Sequence, residues 1–202
     1  NKVVNQRNIL LSQLTFNMAL KDTLEVWDAQ LVSYCSKVIE GRQAFIRELG
    51  DLIGPIHDKL SGHKEQLRLV YEPSVEADAF EKVLLSKRDN DIRLKTSGTG
   101  PHRDDINFIV NGIDIRKFGS QGQQRTAALS LKLAEIKLVK RKINDTPILL
   151  LDDVLSELDS FRQNYLLESI KDIQTAITCT GLDEFVNNRF SINKVFKVVE
   201  GT

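Results

Sequence analysis

Residues 147–159 read PILLLDDVLSELD. Ile148, Leu149, Leu150 and Leu151 form a continuous apolar run after a proline, which suits a central strand covered on both faces better than an alternating edge strand. Asp152 and Asp153 then fall at the carboxyl end of that strand, the end at which open α/β sheets bind their ligands. One carboxylate placed there can hold a hydrated Mg²⁺, which keeps several waters and needs only one or two protein oxygens. Its neighbour can orient or deprotonate an attacking water. The competing reading is an apolar strand followed by an acidic turn that caps the next helix, since periodicity does not separate the two for so short a run.

A second motif lies upstream at residues 118–126, FGSQGQQRT. Glycines flank Ser120, and Gly122 stands just before an apolar-periodic segment, so the stretch reads as a loop leading into a helix. Ala127, Ala128, Leu131, Ala134 and Leu138, with Leu129, Leu133 and Ile136 on an adjoining stripe, make that helix largely buried. Lys137, Lys140, Arg141 and Lys142 gather at its far end, where cations suit the helix dipole. The near end offers backbone N–H groups, a hydroxyl and amides, an arrangement suited to phosphate. An ordinary helix N-cap has the same appearance.

Loop, helix, apolar strand, acid pair and SELD follow one another here as the signature sequence, Walker B strand and D-loop do in ABC-type ATPase heads. The wording GPHRDD at residues 100–105, GSQGQQRT at 119–126 and LLLDDVLSELD at 149–159 resembles the RecF family, related to SMC proteins. The likeness is strong over the second half of the chain and looser over the first, through QRN at 6–8 and the helix containing Trp27. It implies an α/β fold: the C-terminal lobe of an ABC-type head, with a mostly parallel sheet and helices, over residues 96–202, plus an α-helical arm over 1–95. It further implies that Asp152 holds the metal and Asp153 acts in catalysis, where most of the class has glutamate. Ser120, Gln121, Gly122 and Gln123 would reach ATP in trans, Gln121 standing where most transporters have glycine. Ser156, Glu157, Leu158 and Asp159 match the D-loop, and Thr180 (or Cys179) stands at the switch position usually held by histidine.

By the same resemblance, ATP and Mg²⁺ are the cofactors of the intact protein, and two heads sandwich ATP as a homodimer that grips DNA. The expected role is recombination and repair: helping RecA load on single-stranded gaps beside duplex, with RecO and RecR as partners, in a bacterial cytoplasm and on its nucleoid. No GxxxxGK[ST] phosphate loop occurs in these residues. The chain is therefore expected to be the C-terminal part of a longer, DNA-stimulated ATPase, and to be catalytically silent alone. Two rivals are an SMC-like structural module that binds partner protein, and the ATPase head of an overcoming-lysogenization-type nuclease.

Composition narrows the classes further. With 28 basic and 28 acidic residues the formal net charge is zero, so no global field draws the chain to nucleic acid, and a DNA contact must come from a local patch or a dimer groove. Cys35 and Cys179 lie far apart without metal spacing and read as reduced, buried thiols of a cytosolic protein. No apolar stretch reaches membrane-spanning length.

In the first half, Leu24, Trp27, Leu31, Tyr34, Val38, Phe45, Leu49 and Leu52 describe one apolar stripe on a long helix, with Gly41 and Gly54-Pro55 as weak points. Residues 67–71 read as a short strand and 76–87 as a further helix. TSGTG at 96–100 reads as a flexible connector and boundary. Beyond it, Asn111-Gly112 between apolar runs signals a hairpin. His102 reads as a hydrogen-bonded turn residue, and Arg103 as a candidate contact for phosphate or DNA. Ser160 and Gln163 have capping-box spacing for a helix that carries Phe161, Tyr165, Leu166 and Ile170. Residues 175–178 form the next strand and 194–199 a closing edge strand.

Overall fold

The computed structural model describes residues 2–14, 16–179, 194–196 and 198. Contacts gather into two units, Asn1–Leu131 and Lys132–Thr202.

The first unit is built on helices α1 (Lys2–Gln13) and α2 (Lys21–Leu60). Leu10, Leu11, Leu14 and Leu24 form one buried cluster. Leu31, Cys35 and Ile39 form another with Phe80 and Leu84. The long helix of the sequence is present, and Leu24, Leu31, Leu49 and Leu52 of the expected stripe are buried on it. Tyr34, Val38 and Phe45 of that stripe are exposed, and Cys35, Ile39 and Ile46, each one position on, are buried instead. Both lines have helical spacing, so the period alone does not choose between such neighbours. Gly41 and Pro55 do not break α2. Pro55 removes one backbone donor, but Ile53, Ile56 and Leu60 around it are buried, and packing outweighs the local cost.

Strand β1 (Leu67–Glu72) pairs antiparallel with β2 (Asp105–Val110). Between them the expected helix over 76–87 is α3 (Phe80–Ser86), and a further short helix that the sequence did not suggest, α4 (Arg88–Leu94), follows it, closed by Lys95 in the left-handed conformation. The hairpin from β2 to β3 (Ile113–Asp114) turns on Asn111 and Gly112, at φ 49° and 86°. Positive φ at both central residues is what the Asn-Gly pair supplies. Helices α5 (Ile115–Phe118) and α6 (Gln121–Ile143) follow, and the division between the units falls within α6.

The TSGTG segment is tied down rather than flexible. Ser97 and Thr99 are buried. Ser97 donates to Asn8 Oδ1 at 2.8 Å and accepts from Arg7 Nη1 at 2.7 Å. Arg7, fully buried, also bonds Asp28 and Asp91, each at 2.7 Å. Arg88 reaches Asp28 at 2.8 Å. Two cations thus meet two anions, the arrangement that a buried charge requires.

In the second unit β4 (Leu149–Asp152) pairs parallel with β5 (Thr175–Thr178), with α7 (Ser160–Ile170) between them in sequence. Leu166, Leu167, Ile170 and Ile173 are buried, whereas Leu150 is 76% and Ile148 67% exposed. Among the described residues the strand is therefore not covered on both faces as its apolar run suggested. Helices dominate both units, and this pair is the parallel part of the described sheet structure. Cys179 is exposed, not buried. Of the expected edge strand at 194–199, the described members Lys194, Val195, Phe196 and Val198 show no strand pairing. No described helix is long and apolar enough to cross a membrane.

Candidate nucleotide site

The acid pair lies in the second unit. Parallel register sets Asp152 opposite Thr178, and the Thr178 hydroxyl donates to Asp152 Oδ1 at 2.5 Å. The next residue is held by the same threonine: Asp153 N–H lies 3.2 Å from the Thr178 carbonyl oxygen and 3.1 Å from its hydroxyl oxygen. Both aspartates are exposed. Asp153 has φ 49°, a left-handed conformation that costs a non-glycine residue energy and that aspartate tolerates better than most. Thr178 was not foreseen as a site residue. Its one signal is its place at the end of the short strand TAIT, level with Asp152. Thr180, the expected switch residue, lies outside the described residues.

The D-loop candidates follow directly. Ser156 donates to the Asp153 carbonyl at 2.8 Å, within a short 3₁₀ turn spanning Leu155–Glu157. Leu158 is half-buried. Asp159 is the N-cap of α7: it has extended backbone angles and accepts from Arg162 N–H at 3.0 Å. That bond, together with the Arg162 side chain, holds the Asp159 carboxyl below the usual carboxylate range. Ser160 is already helical, so it is not the cap its spacing suggested. Gln163 turns back to the Leu155 carbonyl at 2.8 Å instead.

The signature candidates lie in the first unit. Ser120 and Gln123 form a reciprocal capping box: Gln123 N–H lies 3.2 Å from Ser120 Oγ, and Ser120 N–H 3.0 Å from Gln123 Oε1. Gly119 is required just before it, because a Cβ there would stand 2.5 Å from the Ile115 carbonyl oxygen. Gln124 donates to that same carbonyl at 2.8 Å. Gln121 and Gly122 are exposed, and a Cβ on Gly122 would meet nothing nearer than Ser120 Oγ at 3.9 Å. The exposed first turn of a 23-residue helix thus presents N–H groups and a hydroxyl to solvent, with the dipole favouring an anion.

Two residues outside the motif hold Gln123 in place. Its Nε2 donates to Glu65 Oε1 at 3.0 Å, and Glu65 Oε2 lies 3.1 Å from Nε2 of the fully buried His57. Nothing local in the sequence marks this contact.

The PHRDD turn is a structural knot. His102 Nε2 lies 2.9 Å from the Ser97 carbonyl. Asp104 accepts from Ser74 N–H at 2.8 Å, from Arg42 at 3.0 Å and from the Tyr71 hydroxyl. Burial and that last bond push the Tyr71 phenol up to about 12. Arg103 is exposed, and among the described residues no side chain pairs with its guanidinium.

Among the described residues no three His, Cys, Asp or Glu side chains group to hold a metal. Two exposed carboxylates fit a cation whose shell is completed by waters and substrate phosphates.

No family model matches the chain. It is similar to curated proteins described as the DNA replication and repair protein RecF. Identity is 59% over 202 residues with that of Lachnoclostridium phytofermentans and 59% over 201 with that of Agathobacter rectalis. With that of Acetivibrio thermocellus it is 42% over 211. Each match covers 100% of this chain and 56%, 56% and 57% of the relative, so the chain spans little more than half their length. Two solved structures of the recombination mediator RecF of the RecFOR pathway are also similar. The one with ATPγS has a TM-score of 0.85 and 30% identity, covering 100% of this chain and 55% of that one. The one with ATP has a TM-score of 0.81 and 31% identity over 91% of this chain and 52% of that one.

Proposed function

Because the chain belongs to the RecF family, we propose that it supplies the signature, Walker B and D-loop portion of an ATP-dependent, dimerising DNA-binding ATPase. The observation that carries this reading is the acid pair anchored by one threonine at the carboxyl ends of two parallel strands. Asp152, with its carboxylate oriented by Thr178, holds the hydrated cation. Mg²⁺, when bound, supplies charge neutralisation on the phosphates. Asp153 orients the attacking water and accepts its proton. Its left-handed backbone turns it out of the strand, and Ser156 ties the D-loop to its carbonyl.

Ser120, Gln121, Gly122 and Gln123 contact the γ-phosphate of ATP held by a second copy. The Ser120 hydroxyl oxygen accepts from Gln123 N–H, which leaves the hydroxyl proton to donate to phosphate. Each copy thus completes its partner's site, and ATP closes the dimer on DNA. The setting is bacterial recombination and repair at single-stranded gaps and adjoining duplex, with RecO and RecR as partners and RecA as the protein loaded. Arg103 is a candidate backbone contact for that DNA, and Thr180 the candidate switch. The boundary between arm and head at residues 96–100 belongs to the same reading.

In the full-length protein, Asp153→Asn is expected to lower ATP turnover by about a hundredfold or more while ATP-dependent dimers persist. Turnover at the parental rate would sink the assignment. Ser120→Arg is expected to abolish the dimer in light scattering while single subunits still bind nucleotide.

A further inference from the structure

The first turn of α6 is gripped from outside its own motif. Gln123 uses both ends of its carboxamide, Oε1 accepting from Ser120 N–H and Nε2 donating to Glu65. Glu65 meets His57 Nε2 at 3.1 Å, and His57 Nδ1 meets Ser130 Oγ, also at 3.1 Å. Ser130 lies two helical turns along α6 from Gln123, on the same face. The end of α2 and the loop after it therefore hold α6 at two points. Ser130 Oγ lies 2.7 Å from the Thr126 carbonyl as well. The Glu65 carboxylate only accepts, so the proton in its contact with His57 sits on Nε2.

We propose that Glu65 and His57 are positioning residues for the signature loop: their hydrogen bond fixes the Gln123 carboxamide, which fixes Ser120 for the γ-phosphate of the partner's nucleotide. This rests on the reading of Ser120 to Gln123 as a signature acting in trans. A side chain that only supported the fold would not need to bond a residue of the motif itself, and Gln123 was otherwise able to complete its capping box without Glu65.

The test compares three variants of the full-length protein by ATP-dependent dimer dissociation constant and by nucleotide affinity of single subunits. Glu65→Ala should weaken the dimer about tenfold or more, the scale of one charge-assisted hydrogen bond, with single-subunit affinity unchanged. Glu65→Gln should restore most of it, because its carbonyl still accepts from Gln123 and its amide can donate to a neutral His57. Ser120→Arg serves as the reference. If Ser120→Arg abolishes the dimer and Glu65→Ala matches the parent, the positioning role is overturned and the signature reading stands. If Ser120→Arg dimerises like the parent, the signature reading itself fails. A Glu65→Gln protein as weak as Glu65→Ala also overturns the proposal. Should Glu65→Ala not fold, the ¹⁵N spectrum of histidine-labelled parent decides: a protonated Nε2 on His57 supports the relay, and an unprotonated Nε2 rules it out.

Discussion

Charge is handled in opposite ways in the two units. In the first, Arg7 is 0% exposed and Asp28 and Asp91 4% and 0%, and every one of them is bonded to another charged group. In the second, Asp152 and Asp153 stand in the open, and a neutral threonine is what orients them. Buried charges that neutralise one another have no capacity left for a ligand and serve the fold. Exposed acids held in place with no counter-ion among the described residues keep their charge for something that arrives from outside. A carboxylate is thus read by its partners, not by its being there.

The sharpest way to break this contrast is to remove Arg7. Arg7→Ala leaves Asp28 and Asp91 buried with a counter-ion deficit that Arg88 offsets only at Asp28. Denaturant unfolding should show a loss of about 3–5 kcal/mol. Asp152→Asn, by contrast, should change stability by no more than about 0.5 kcal/mol. A loss below about 1 kcal/mol for Arg7→Ala would mean that the cluster is relaxed by water and that the two regions do not differ as described.

The contrast also separates what local sequence reveals from what it hides. The strand at Leu149–Asp152, the Asn111-Gly112 turn and the Ser120 to Gln123 cap are each determined by neighbours within a few positions, and each was legible. Arg7 meets Asp91 across 84 positions, and Gln123 meets Glu65 across 58. Such pairings are set by tertiary packing, and no pattern in the chain announces them. The stripe on α2 lies between these cases: its period was visible, but the choice between Tyr34 and Cys35 is made by what packs against the helix. The apolar run at 148–151 is a related case, since its composition reports the covering a strand is suited to, whereas Ile148 and Leu150 stay exposed among the described residues.

A middle-sized effect should come from Asp153→Gly. Glycine adopts φ 49° without a Cβ penalty, so the substitution should raise stability by about 0.5–1 kcal/mol while removing the carboxylate and with it ATP turnover in the full-length protein. Gain of stability with loss of turnover would show backbone strain retained at a functional position. Unchanged turnover would take Asp153 out of the chemistry.

The mildest probe leaves the sequence intact and uses the two cysteines as reporters of the two regions. Burial, and next the negative charge of Asp104, push the Cys35 thiol up to about 11 from an ordinary 9.0, so at pH 8 its reactive thiolate is about a hundredfold scarcer than in an open site. Cys179 is exposed. Iodoacetamide at pH 8 should therefore label Cys179 first, with Cys35 slower by about a hundredfold or more and catching up only as the pH rises toward 11 or denaturant is added. Mass spectrometry of the alkylated protein reads both sites in one sample. Equal rates at pH 8 would show that the helices around Cys35 open on the timescale of the reaction, in which case the burial that distinguishes Cys35 from Cys179 does not protect it.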